Sequence, residues 1–394
     1  MFPKTIPPVS TWTASRDSSP LGRTRLPEVD GLRGVAIWLI LLGHFFVTYY
    51  ATDLRAVSPV VFNLCSRFMW GVDLFFVISG FLIGGTLLDH RHSTAIVKTF
   101  YLRRALRIWP LYFFLVLLLA GPTYAMGFPA QARYLPFWSY LLFVQNIPMS
   151  LGFWALFAYA PLWSIAVEEQ FYVAAPWLVR KASTRRIKRI LLVTVCAAIA
   201  SRMVCLSGTW LNDAFTFCRL DAIAIGFFGA LIIRNEVVSL QTLLNARCLC
   251  LIAILMIPGF LAIAAYSNLP LYLSTLTPSY VAFFFLVVLL LATQESSAVL
   301  KRALRNPFLM ASGKFCYFLY LFHLTILYNV ELVFENPILA RLISLPVCLG
   351  LAFISWRFFE SPLIAIGHRW AYSDAREPAN DLGPLKSTGS VFAR

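Results

Sequence analysis

The chain has 394 residues, of which 59% are hydrophobic and 13% charged, against about 25% charged in a typical soluble domain. With a mean hydropathy of +0.74, it holds more apolar surface than one soluble core hides, and the bilayer has to serve as solvent for much of it. The net charge of +15 sits in short clusters between apolar runs. That arrangement orients helices in a membrane, and no nucleic-acid partner is expected.

Residues 1–26 are polar and basic, contain Pro and Ser, and lack the apolar core of a signal peptide; they read as a disordered cytoplasmic tail. Ten apolar segments come next that are long enough to cross a hydrocarbon core of about 30 Å. They are 32–50, 68–88, 105–125, 160–179, 190–207, 216–233, 248–266, 275–293, 315–332 and 338–356. The stretch 134–147 is apolar but short and contains Pro136, so it is expected to be interfacial or re-entrant. Residues 373–394 read as a second cytoplasmic tail, which leaves 27–372 as one all-α polytopic membrane domain without visible internal repeats.

Charge tests this count. The N-terminal tail, 89–107, 180–190, 294–314 and the C-terminal tail are rich in Lys and Arg, and 234–247 is modestly basic. The alternate connections hold only Arg55, Arg67 and Arg133. Ten helices with both termini in the cytoplasm satisfy the positive-inside rule. A full crossing by 134–147 would break the pattern. The eight cysteines form no CxxC pair and mostly lie in apolar runs, so they read as small packing residues, with no metal expected.

A charge at bilayer depth is costly and marks a functional candidate. The candidates are His44, Asp73, Glu168, Glu169, Arg219, Asp221 and His323. His44 lies about twelve residues into the first segment, roughly 18 Å deep at 1.5 Å per residue. Glu168, on a segment running the other way, falls at a similar depth. A carboxylate beside an imidazole fixes its tautomer, which would make His44 a general base for a hydroxyl. The bland alternative is a packed histidine bonded to a carbonyl. Ser164, Glu168 and Tyr172 are spaced i, i+4 and i+8 and share a helix face, whereas Glu169 points about 100° away and reads as part of a structural pair.

Arg33 precedes His44 by eleven residues, about three turns, and shares its face. It reads equally well as a snorkelling interfacial residue and as a donor to a phosphate or carbonyl. Arg103, Arg104 and Arg107 open the third segment and would suit the phosphates of coenzyme A; plain anchoring explains them as well. Packing is the simpler reading of His323, and intramembrane pairing that of Asp73, Arg219 and Asp221. No GxSxG, GxGxxG, GxxxxGK or HExxH motif occurs, and no His is followed four or five residues later by Asp. Hydrolase, dinucleotide, kinase and zinc-protease chemistry therefore have no support.

The stretch LPEVDGLRGVAIWLILLGH, Leu26 to His44, resembles the first-helix signature of the acyltransferase 3 family, membrane-bound O-acetyltransferases of bacterial surface glycans. GVDLFFVISGFLIG (Gly71 to Gly84), FYLRRALRIWPLY (Phe100 to Tyr112) and PLWSIAVEEQFY (Pro161 to Tyr172) are similar to its next blocks. RLDAIAIGFFGAL, FLYLFHLTI and FFESPLIAIGHR resemble later ones. The blocks run in family order over residues 26–370. One departure is Cys316-Tyr317-Phe318 where the family usually has Ser-Tyr-Ser, which leaves the role of His323 open.

The resemblance implies ten core helices, a cytoplasmic acyl-CoA donor acting as substrate with no bound cofactor, and a hydroxyl acceptor beyond the inner membrane. It also implies essential roles for His44 and Arg33, with Glu168 in the site. The expected reaction is an O-acyl transfer, most simply acetyl, to a glycan or glycolipid. Acyl-CoA would dock at Arg103, Arg104 and Arg107 and thread past Arg33. His44, oriented by Glu168, would deprotonate a sugar hydroxyl or carry the acyl group transiently. Without an appended esterase-like domain, the chain would complete the transfer alone or pass the acyl group to a partner. A transporter or flippase of a glycan or lipid intermediate is the competing class; dependence on acyl-CoA separates the two.

Overall fold

A computed structural model describes residues 26–125, 134–153, 155, 157–204, 214–234, 246–266, 271–293 and 298–372. Apart from Leu26, the two expected tails lie outside these residues, as does most of the 234–247 connection. The described residues are all-helical, without a strand element.

Helix α1 (Pro27–Leu42) begins with Pro in its first turn and carries Glu28 and Asp30 at its positive dipole end. It runs into a π-turn at Gly43–Val47, where the Thr48 N–H reaches back to the Gly43 carbonyl. Two short helices, α2 (Ala51–Val57) and α3 (Pro59–Ser66), and a 3₁₀ turn lead to α4 (Gly71–Asp89). Helix α5 (Ile96–Ala125) is next. The stretch 134–147 becomes part of two five-residue helices, α6 (Phe137–Leu141) and α7 (Asn146–Ser150). Neither can cross a bilayer, since five residues rise only about 7.5 Å. Between them Phe143 takes the left-handed conformation (φ 53°), which ends α6 sharply.

The rest of the bundle is α8 (Leu162–Lys181), α9 (Thr184–Val204), α10 (Thr216–Ile233), α11 (Ala246–Ala265) and α12 (Leu271–Thr293). Then come the short α13 (Ala298–Leu304), α14 (Pro307–Glu331), α15 (Pro337–Ser355), a second π-turn at Trp356–Glu360, and α16 (Ser361–His368).

Seven stretches among the described residues are long and apolar enough to cross a membrane: 27–47, 59–89, 216–233, 247–265, 273–293, 307–331 and 337–368. Helices α5, α8 and α9, at 30, 20 and 21 residues, are also of bilayer length. The span containing α4 is 78% buried against protein and that of α11 only 17%. Helix α4 is thus central, and α11 is apolar all round because it meets lipid.

Close helix crossings fix the centre. A Cβ on Gly313 of α14 would collide with the Asp30 carbonyl of α1, and one on Gly80 of α4 with the Ile223 carbonyl of α10. Small residues let helices approach closely where lipid supplies no hydrophobic drive. The two glycines of the DGLRG stretch have the same use: Gly31 and Gly34 lie against the Leu304 and Leu309 carbonyls. Buried charges pair across helices, Asp73 with Arg219 and Asp221 with Arg202, both at 2.9 Å. Arg202, 2% exposed, also donates to the carbonyls of Thr275 and Cys218 and to Ser279.

Candidate active site

Among the described residues, two cavities with charged linings lie in the core, one nearer each end of α1. The first, about 100 Å³, is lined by Arg33, Arg104, Arg107, Glu168, Ser79 and Tyr172, with Cys316, Tyr317 and Tyr320 from α14. The second, about 500 Å³, is lined by His44, Arg67, Asp73, Trp163, Arg219 and, again, Tyr320. Arg33 and His44 are eleven residues apart on α1, so about 16 Å separates these two residues along its axis, while Val72 and Tyr320 line both cavities.

The arginine cavity draws together six residues singled out in the sequence: Arg33, Arg104, Arg107, Ser164, Glu168 and Tyr172. On α8, Ser164, Glu168 and Tyr172 line it from one face. The Tyr172 hydroxyl donates to Glu168 Oε2 at 3.1 Å and lies 2.6 Å from Ser79 Oγ. Arg104 stacks over the Tyr172 ring, 5.7 Å from its centroid. Arg33 is 3.9 Å from Asp30, a distance too long for a good hydrogen bond. Three guanidinium groups around one carboxylate leave the cavity with excess positive charge, suited to an anion.

Arg103 is not part of that lining. Its guanidinium donates to the Trp370 carbonyl at 2.6 and 3.0 Å and sits 4.7 Å from the Tyr372 ring centroid. One residue before Arg104 on α5, it faces about 100° away. Glu169 is held by the Trp109 indole N–H at 3.0 Å, and its partner is therefore an aromatic donor rather than a charge.

His44 is separated from Glu168, which lines the other cavity. Its Nδ1 lies 3.1 Å from Nε2 of His323, a residue with no exposed surface. The expected pairing fails because α8 sits about one turn off the expected depth. Ser164, not Glu168, is level with the border between the cavities: its hydroxyl lies 2.6 Å from that of Tyr320. Tyr320 also donates to the Pro161 carbonyl at 2.9 Å. The Tyr320 ring and its bond to Ser164 form the partition between the two spaces.

Sequence reasoning missed Tyr320, Ser79 and the pairing of His323. One signal was present: Tyr317, Tyr320 and His323 are spaced i, i+3 and i+6 on α14, which puts all three on the inward face.

This is a multi-pass membrane protein whose core holds a basic cavity and a histidine cavity divided by one tyrosine. It belongs to an acyltransferase family: the family model described as an acyltransferase domain matches residues 26–357. Among curated proteins, the chain is 27% identical over 375 residues to the O-acetyltransferase OatA of Staphylococcus aureus strain NCTC 8325. It is 25% identical over 388 residues to the putative O-acetyltransferase SACOL0978 of S. aureus strain COL. Each match covers 86% of this chain and 57% of the relative, so the chain spans a little over half the length of the relatives it matches. No solved structure matches.

Proposed function

We propose that the chain moves an acyl group, most simply acetyl, from cytoplasmic acyl-coenzyme A to a hydroxyl of a glycan or glycolipid on the far side of the inner membrane. The observation that carries this reading is the pair of cavities meeting at Tyr320, one rich in arginine and the other holding His44. The names of the relatives agree with an O-acetyl transfer. In this reading α5, α8 and α9 also cross the bilayer, giving ten spans with both termini in the cytoplasm, and the arginine cavity opens to the cytoplasm.

Arg104 and Arg107 then hold phosphates of the donor, while Arg33, deeper along α1, faces the acyl-bearing end. Glu168 and Tyr172 fix the wall along which the pantetheine arm runs. The acyl end has to pass the Tyr320–Ser164 contact to reach His44. There the acceptor hydroxyl gives its proton to His44, its oxygen bonds to the acyl carbon, and the carbon–sulfur bond breaks. The departing thiolate recovers the proton as free coenzyme A. An oxygen nucleophile replaces sulfur, and no redox partner is needed.

The test is mass spectrometry of envelope glycans from cells with the protein, without it, and with His44→Ala. Loss of one acetyl mass per modified sugar in both altered strains supports the reading, and a different mass difference names another acyl group. Unchanged glycans and lipids with His44→Ala would sink it. Movement of a glycan or lipid across the membrane without any need for acyl-CoA would establish the transporter reading instead.

A further inference from the structure

Both nitrogens of the His323 ring are committed. Nδ1 lies 2.9 Å from the Tyr320 carbonyl and 3.0 Å from that of Leu319. A carbonyl oxygen only accepts, so this nitrogen carries the proton. A neutral imidazole with its proton on Nδ1 has a lone pair on Nε2. That lone pair faces His44 Nδ1 at 3.1 Å, and between two neutral rings one nitrogen must donate and the other accept. His44 therefore donates from Nδ1, and its own lone pair is left on Nε2. The opposite assignment would need a charged His323. No carboxylate is among the described hydrogen-bond or ion-pair partners of either ring, and an unpaired charge at this depth is costly.

We propose that His323 is the positioning residue of the site: it fixes the tautomer of His44 so that Nε2 faces the acceptor as the base. The statement rests on the reading of His44 as the proton acceptor. A direct line of donation runs from His44 Nδ1 to His323 Nε2, and from His323 Nδ1 into the backbone of α14. Its direction is set by carbonyls three and four residues before His323 on the same helix, which cannot be reversed. Phe45 stacks on the His323 ring with centroids 6.2 Å apart and planes at 28°, which restrains its rotation. Nucleophile–base sites often use a carboxylate as the orienter. A neutral imidazole does the orienting here without placing a second charge in the membrane. Glu168 is not needed for it, since its carboxylate is engaged by Tyr172 in the other cavity.

The first test uses the unaltered full chain in lipid. Nitrogen-15 NMR on histidine-labelled protein reports which ring nitrogen is protonated; the chain has only five histidines, and the His44→Ala and His323→Phe spectra assign two of them. His44 and His323 both protonated at Nδ1 is the expected result; His44 protonated at Nε2 overturns the proposal whatever the activity.

The second test is kinetic. His323→Phe keeps an aromatic ring but has no acceptor, and it should lower kcat about 100-fold, a typical share of general-base catalysis, with KM for acyl-CoA unchanged. His323→Gln, whose amide oxygen can accept, should recover about tenfold of that loss, a partial rescue on the same scale. Full kcat in His323→Phe beside an inactive His44→Ala sinks the positioning role and leaves the reading of His44 intact. Full activity in His44→Ala sinks the underlying reading itself.

Discussion

What an arginine can offer a donor depends on what it already holds. Arg103 has spent two N–H groups on the Trp370 carbonyl. Arg104 and Arg107 line the cavity instead, where hydrogen bonds to a charged group contribute about 1.5–3 kcal/mol each. Arg104→Ala or Arg107→Ala should therefore raise KM for acyl-CoA roughly 10- to 100-fold, at about 1.4 kcal/mol per decade, and leave kcat nearly unchanged. Arg103→Ala should leave KM unchanged and instead loosen the chain around Trp370. Steady-state kinetics on the three variants decides it, and equal KM effects in all three would refute the assignment of the lining. The sequence showed that Ser164, Glu168 and Tyr172 share a helix face because helical spacing alone dictates that, but it did not separate Arg103 from Arg104 and Arg107. It could not show that His44 faces His323. The π-turn at Gly43–Val47 adds a residue to its turn and rotates the residues after Gly43 off the regular helical face. Depth counted from segment ends carries an error of about one turn, which is the difference between Ser164 and Glu168.

At the scale of the element, the long apolar helices were legible because each is an uninterrupted apolar run of bilayer length. The short ones, α2, α3, α6 and α7, were not, since five to eight residues give too little periodicity to separate helix from loop. Nor did composition reveal Arg202. It lies near the end of an apolar segment and reads there as a snorkelling residue, yet its guanidinium ties α9 to α10 and α12 through Asp221, Ser279 and the Thr275 carbonyl. Removing one member of a buried pair leaves an uncompensated charge and costs about 3–5 kcal/mol. Arg202→Met should markedly lower the melting temperature in detergent, while Arg202→Met with Asp221→Leu should recover much of the loss. An unchanged melting temperature in the single variant would show that the pair is not closed in the membrane. The crossing glycines make a second claim. Gly313→Leu drives a side chain into the Asp30 carbonyl, and overpacking of this kind costs about 1–3 kcal/mol. It should also push apart α1 and α14, which carry His44 and His323, so activity should fall together with melting temperature.

For the whole molecule, the open question is sidedness, and the contacts between helix ends constrain it. At one end the start of α1 meets the α13–α14 connection through Glu28 and Arg305, and the end of α4 meets that of α10 through Asp89 and Arg234. The connection after α4 meets that between α8 and α9 through Arg91 and the Ala182 carbonyl. At the other end Asn63 reaches the Ala265 carbonyl at the end of α11, and Asn146 the Ala214 carbonyl before α10. The first end gathers Arg91, Arg104, Lys181, Arg234 and Arg305, which the positive-inside rule assigns to the cytoplasm. Single cysteines in an otherwise cysteine-free chain test this at exposed positions: Val57 and Val299, 83% and 86% exposed, and Leu151, 63% exposed. With ten spans, a membrane-impermeant maleimide added to intact cells should label Val57→Cys and Leu151→Cys but reach Val299→Cys only after the membrane is opened. Seven helices of bilayer length (α4, α5, α8, α9, α10, α11 and α12) separate Val57 from Val299, so an odd number of crossings puts them on opposite sides. Leu151 isolates α4 and α5 from the rest. Labelling of Val57→Cys without Leu151→Cys would mean that α5 does not cross. The ten-span count, with its matching of every basic connection to the cytoplasm, would then fail.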